Sequence, residues 1–241
     1  MVELLTKEDI KRILLLRFEN DYCTKLGEIP KPSSLKDIRK ASKRIVDAIK
    51  QKERIAIVGD YDVDGVISSV ILSQFFDDLG VDYSLIIPNR FTDGYGLNPE
   101  IVSKLDVHVI ITVDNGISAV EAAQICKTQG IDLIITDHHT VPSIIPEAYA
   151  IVNPKQEDCD FPNCEICGAQ VAWYLVASLK EELGVEYDLS SFLDLLSIAI
   201  MADMMKLVGM NRVMVKKGII ELNRSKRAAF EAEEAQLKIR R

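Results

Sequence analysis

Residues 55–69 read IAIVGDYDVDGVISS: four apolar residues, a glycine, and then aspartates at the alternate positions 60, 62 and 64. Three carboxylates this close repel one another and stay ionised at low cost only if something positive lies among them. The stretch is therefore either a solvated turn or half of a metal site. Its flanks decide the fold. IAIV is a short, continuous apolar run, the mark of a parallel strand buried on both faces. VISSVILSQFFDDLG, residues 66–80, reads as a helix closed by Gly80.

The same alternation continues downstream. VDYSLIIP (81–88) reads as a strand, NRFTDGYGLNPE (89–100) as a loop, and VHVIITVD (107–114) as a strand. ISAVEAAQICKTQG (117–130) reads as a helix ended by Gly130, and IDLIITD (131–137) as another strand. A short strand near 149–152 and a loop bearing proline and cysteine lead to helices over 168–183, 190–205 and 210–223. Upstream, Leu35, Ile38, Ala41, Ile45 and Ile49 fall at helical spacing. Apolar runs alternating with helices make βαβ units. The expected fold is α/β, a doubly wound, mainly parallel β-sheet flanked by helices and followed by a helical subregion. The expected divisions are an N-terminal helical extension (1–34), the main domain (35–223) and a charged helical tail or linker (224–241).

Three of the apolar runs end alike: IVGD at Asp60, ITVD at Asp114 and IITD at Asp137. In an open parallel sheet the carboxyl ends of the strands share one edge, and ligands bind there. Asp60, Asp62, Asp64, Asp114, Asp137, His138 and His139 are thus expected to converge in one crevice. Taken singly, each aspartate is more often a helix cap or turn former, and a lone histidine more often a hydrogen-bonded structural residue. Together they need compensating cations, because unpaired buried charge is costly. Oxygen-rich ligation with one or two nitrogens suits Mn²⁺ or Mg²⁺. A carboxylate bridging two such ions ~3.5–4 Å apart gives the arrangement used for phosphoryl chemistry.

Composition bounds the reading. The 241 residues are 48% hydrophobic, enough for a real core, and no apolar run approaches the ~18 residues that span a bilayer. The first residues scatter charges through their apolar positions, unlike a secretory signal, so the expected location is the cytoplasm. Five cysteines, an odd number, argue against a disulfide framework. Cys159, Cys164 and Cys167 have no fourth Cys or His nearby, so free thiols are expected rather than a zinc site. The net charge of −8 does not advertise a nucleic-acid binder, but it counts carboxylates that a bound cation would neutralise. Eight Lys or Arg against three Asp or Glu between Leu35 and Arg54 read as a solvated helix face.

GDYDVDG, TVDNG and TDHH, in this order and each after a strand, resemble the first three motifs of the DHH phosphoesterase superfamily. PNRFTDGYGLN resembles the RecJ branch, the single-strand-specific 5′-exonucleases. IAIMADMMKLVGMNRVMVKKGI resembles the helical region of the fourth motif, with Asp203 as its aspartate. The resemblance covers nearly all of residues 35–224. It implies Asp62 and Asp114 as ligands of one Mn²⁺ or Mg²⁺ ion, with Asp60 close by, and Asp64, Asp114, His138 and Asp203 as ligands of a second. Asp114 is then the bridge. It implies that His139 contacts the scissile phosphate and that Asp137 supports the site from behind. Arg90 fits a phosphate clamp, or equally a surface salt bridge. Gly94, Tyr95 and Gly96 bring backbone close to substrate or form a simple turn. The implied activity is hydrolysis of single-stranded DNA from its 5′ end, in repair and recombination.

The family pattern continues into a second domain with a glycine-rich motif, and commonly an OB-fold. No GGG triplet occurs in these 241 residues. The expectation is a chain holding the metal-bearing half of a two-part site, either a truncated gene product or one relying on a protein partner for substrate binding, and cleaving DNA poorly alone. The rival readings are a phosphodiesterase of short oligonucleotides or cyclic dinucleotides, a manganese pyrophosphatase, and a non-catalytic scaffold.

Overall fold

The structure, a computed structural model, describes residues 4–19 and 23–237. Residues 1–3 and 20–22 of the expected extension, and 238–241 of the expected tail, lie outside the described residues. In chain order the elements are α1 (Lys7–Arg17), α2 (Ile38–Gln51), β1 (Ile55–Val58), α3 (Val63–Leu79), β2 (Ser84–Ile86), α4 (Pro99–Ser103), β3 (Val109–Val113), α5 (Val120–Gln129), β4 (Asp132–Thr136), β5 (Ala150–Val152), α6 (Gly168–Leu183), α7 (Leu193–Ala202), α8 (Gly209–Leu222) and α9 (Ala228–Leu237). Single 3₁₀ turns lie at 26–28, 32–34 and 189–192.

The five strands form one sheet in the order β2-β1-β3-β4-β5, every pair parallel. Side chains alternate between its two faces. Ile55, Ile57, Val109, Ile111, Val113, Ile134, Ala150 and Val152 face one core, shared with α2, α3, α6 and α7. Ala56, Val58, Ile110, Leu133, Ile135 and Ile151 face a second, smaller core under α4 and α5. Helices on both faces make the sheet doubly wound. Burial of each Ile or Val contributes on the order of 1.5–3 kcal/mol, and this drives the strands together. The strand order reverses between β1 and β3, the switch point where a crevice opens at the carboxyl edge.

Several boundaries differ from those expected, each for a local reason. α2 begins at Ile38, not at Leu35, which is buried before it. α3 starts at Val63 because Asp62 caps it, so Asp64 and Gly65 sit in its first turn. β2 is shorter than its apolar run, because an edge strand has a partner on one side only. Asn98 caps a short helix, with Pro99 in its first turn, where only loop was expected. The second of the three C-terminal helices, α7, ends at Ala202 rather than at 205, and a turn at 203–208 separates it from α8. Within the basic segment Arg44 is not solvated: its side chain is 13% exposed and ion-paired to Glu53 at 2.6 Å and Asp132 at 2.5 Å. Ahead of α9, Arg227 is clasped to α7 and α3, donating to Asp194 Oδ2 (2.8 Å) and Gln74 Oε1 (2.9 Å).

β3 is central, and Ile111 within it is fully buried. Ile111→Ala is expected to lower unfolding stability by about 2–5 kcal/mol, read as an earlier urea midpoint at unchanged m-value.

Candidate metal centre

The turn after β1 sends its three aspartates in different directions. Asp60, 2% exposed, accepts a hydrogen bond from the backbone N–H of Tyr61 (2.7 Å). Asp62 is exposed and caps α3, its Oδ1 accepting from Gly65 N at 2.9 Å. Asp64 is 3% exposed. Its Oδ2 accepts from Gly168 N (2.6 Å) and its Oδ1 from Ala169 N (2.9 Å). These are orphan donors of the first turn of α6, and the helix dipole there favours an anion.

Beyond β3, Asp114 adopts φ +61°, a left-handed conformation that aspartate tolerates better than most residues. Its carboxyl group is 1% exposed. Beyond β4, Asp137 is held on every side: Oδ2 accepts from Ile117 N (2.9 Å), and Oδ1 from the backbone N–H groups of His138 (2.7 Å) and His139 (3.0 Å). Oδ1 also lies 2.7 Å from His139 Nδ1. Asp203 follows the last residue of α7 and arrives from the helical side.

These groups meet. His138 Nε2 lies 3.2 Å from Asp114 Oδ1 and 3.7 Å from both Asp64 Oδ2 and Asp203 Oδ2. Three sets of side chains each offer ligand atoms within 4.8 Å of one another: Asp60, Asp62 and Asp114; Asp64, His138 and Asp203; and Asp114, His138 and His139. Asp114 Oδ1, Asp203 Oδ2 and His138 Nδ1 are buried polar atoms with no hydrogen-bond partner, a state that is costly unless something else satisfies them. The residues therefore fit divalent cations of the Mn²⁺ or Mg²⁺ kind.

Electrostatics tells the same story. Burial first, and then repulsion from Asp114, pushes the Asp64 carboxyl up to about 8. Burial, with Asp62 and Asp137 next, pushes Asp114 up to about 8 as well. Asp60 and Asp203 are raised too, mainly by burial. Asp137 behaves differently. Burial raises it, but the hydrogen bond and charge of His139 and its backbone donors outweigh that and hold it below the usual carboxylate range. His139 in turn is raised to about 9 by its hydrogen bond to Asp137, so its ring is cationic at neutral pH.

The rim is aromatic. Arg90 lies over the Tyr61 ring at 5.6 Å, and no carboxylate stands within ion-pair distance among the described residues. The salt-bridge alternative for Arg90 is thus replaced by a cation–π contact. Tyr95 meets both Tyr61 (6.3 Å) and His139 (6.2 Å) edge to face. Gly94 and Gly96 both take positive φ, and at Gly96 a Cβ would lie 2.9 Å from the Asn115 side chain. Asn115 is one residue that the sequence reading passed over. It donates to Val58 O (3.0 Å) and Val113 O (2.9 Å) and accepts from Leu97 N (3.0 Å), tying both strand ends to the rim loop. The second is Gly168, which touches two carboxylates. Asn115 stood in the quoted TVDNG; Gly168 lay in no motif. The three expected thiols are dispersed: Cys164 is exposed, Cys167 is buried at the start of α6, and Cys159 Sγ accepts from Lys36 N at 3.4 Å.

The N-terminal domain of the DHH family matches residues 54–200, more than half of the chain. This chain is a member of the DHH family. It is 39% identical over 207 residues to the single-stranded-DNA-specific exonuclease RecJ of Bacillus subtilis, covering 85% of this chain and 26% of that protein. To the Escherichia coli protein of the same name it is 35% identical, covering 80% of this chain and 36% of that protein. The chain thus spans about a quarter to a third of these relatives. A crystal structure of exonuclease RecJ bound to manganese superposes with a TM-score of 0.76 at 31% identity, covering 84% of this chain and 52% of that one. The DHH domain here has the RecJ-type fold. No helix among its described residues is long and apolar enough to cross a membrane.

The shifts set a pH dependence for the metal-free DHH domain. Asp64 and Asp114 keep protons to about 8 when folded but titrate near 3.8 when unfolded. The folded state therefore holds more protons between those values, and stability falls as pH rises through that window. His139 acts in the same sense, its contribution complete below 6.5 and lost as pH passes about 9. Asp137, with its lowered value, acts in the opposite sense: its stabilisation is complete above about 3.8 and is lost only in acid. With chelator present, the melting temperature is expected to fall from about pH 5 to about pH 9, and Asp114→Asn to flatten the slope; scanning calorimetry checks this.

Proposed function

We propose that this chain is a metal-dependent phosphodiesterase, the catalytic DHH domain of a RecJ-like exonuclease acting on single-stranded DNA in repair and recombination. One observation carries the reading: two sets of three ligand groups flank the deeply buried Asp114 at the switch point of the sheet. In this reading Asp60, Asp62 and Asp114 hold one Mn²⁺ or Mg²⁺ ion. Asp64, His138 and Asp203 hold a second, with Asp114 shared between them. Bound there, such ions supply Lewis acidity and lower the pKa of water near neutrality.

The remaining residues act on the substrate. His139, cationic and braced by Asp137, presents its other ring nitrogen to the scissile phosphate and offsets charge developing on its oxygens. Arg90, held over Tyr61 with no competing carboxylate among the described residues, offers a guanidinium fork to a phosphate. Gly94, Tyr95 and Gly96 shape the wall against which a nucleotide lies. RecJ relatives carry single-stranded DNA in their name, and this supports the same substrate class here. The rim is aromatic, with Arg90 over Tyr61, and gives a long polyanion little to hold. Positioning can supply about 7–11 kcal/mol of a barrier, so we propose that a protein partner or a further substrate-gripping domain is needed and that these residues alone cleave slowly. The free cysteines favour the cytoplasm as the place of action.

Calorimetric titration with Mn²⁺ is expected to show two ions per chain, and Asp114→Ala to abolish both. His139→Ala is expected to keep both ions while slowing hydrolysis by about 10²–10³-fold. Rates on a long single strand, a dinucleotide and pyrophosphate give the substrate, with the long strand expected to be preferred. Preference for pyrophosphate, or absence of Mn²⁺ binding, overturns the reading.

A further inference from the structure

We infer that Gly168, outside every motif recognised in the sequence, is a positioning residue that sets the geometry of the shared carboxylate, and that only a residue without a side chain can serve there. The inference rests on the two-ion reading and deepens it. Gly168 touches both halves of the centre at once. Its N–H donates to Asp64 Oδ2 at 2.6 Å, and the next N–H, of Ala169, takes the other oxygen at 2.9 Å. Its α-carbon faces Asp114: a Cβ built at position 168 would lie 2.6 Å from both Cβ and Cγ of Asp114, and closer still to Oδ1. That oxygen is the one nearest His138 Nε2, at 3.2 Å, and it has no hydrogen-bond partner.

The collision cannot be relieved by a flexible tip. It involves Asp114 Cβ, on a backbone fixed at φ +61° directly after β3, with its N–H bonded to Thr136 O at 3.0 Å. α6 cannot easily retreat either, since Gly168–Leu179 is buried throughout. A methyl group at 168 therefore forces the start of α6 and the Asp114 backbone apart, moving the Asp114 carboxyl off His138 and the Gly168 and Ala169 N–H groups off Asp64. Asp114 belongs to one ligand set and Asp64 to the other, so both ions weaken together.

Gly168→Ala is expected to weaken binding of both Mn²⁺ ions at least tenfold by calorimetry and to remove the Mn²⁺-induced rise in melting temperature. Gly218→Ala is the control. Gly218 lies where α8 crosses α7, and a Cβ there would meet Leu193 O and Ser197 Cβ, away from the carboxylates. It is expected to lower the metal-free melting temperature yet keep two-ion binding. Wild-type Mn²⁺ affinity in Gly168→Ala overturns the inference, as does equal loss of binding in the folded Gly218→Ala chain. No Mn²⁺ binding by the wild type overturns the two-ion reading itself. If Gly168→Ala fails to fold, Gly168→Ala/Asp114→Gly removes every atom the methyl meets on Asp114 and is expected to fold. Failure of that double variant assigns the defect elsewhere and overturns the inference.

Discussion

The structure depends on the mutual repulsion of carboxylates buried together at one lip of a β-sheet. Asp60, Asp64 and Asp114 are almost fully enclosed, and Asp203 stands against the same imidazole. In water such a group of charges would spread apart. Here the chain has no freedom to let it: each acid is fixed at the end of a strand or helix, and Asp60 and Asp64 are braced by backbone donors. The fold therefore holds a concentrated negative potential in place, and cations or protons must answer it.

The braces come from elements far apart in sequence. Asp64 leans on the N-terminus of α6, more than a hundred residues downstream, and Asp137 on the turn before α5. Asn115 joins β1, β3 and the loop before α4 with three hydrogen bonds. This interlocking explains why α6 is so deeply buried. It packs under the sheet as a core helix, and its first turn also completes the acidic pocket.

Much of this was legible from residues. Continuous Ile and Val runs ending in aspartate announce parallel strands and a shared carboxyl edge, because burial on both faces leaves no other use for such runs. Asp60, Asp114 and Asp137 followed from that one geometric rule, whereas Asp203, at the end of a helix, came only from the resemblance to the fourth motif. What stayed hidden depended on tertiary contact. Gly168 follows a cysteine in an unremarkable loop, and nothing local says that its missing side chain makes room for Asp114. Arg44 looked like one of many solvated cations until Asp132 came within reach. The short helix at Pro99 hid behind a glycine-rich stretch that reads as loop, though its Asn-Pro start is a helix signal in its own right.

One further feature is the position of the acids relative to the hydrogen-bonded ladder. β1 stops at Val58, β3 at Val113 and β4 at Thr136, and Asp60, Asp114 and Asp137 come only after the ladder has finished. Chemistry and scaffold are thus separable modules along the chain. Replacing these aspartates would empty the lip of its charge yet spare the two apolar layers, so the scaffold can outlast the acids it carries.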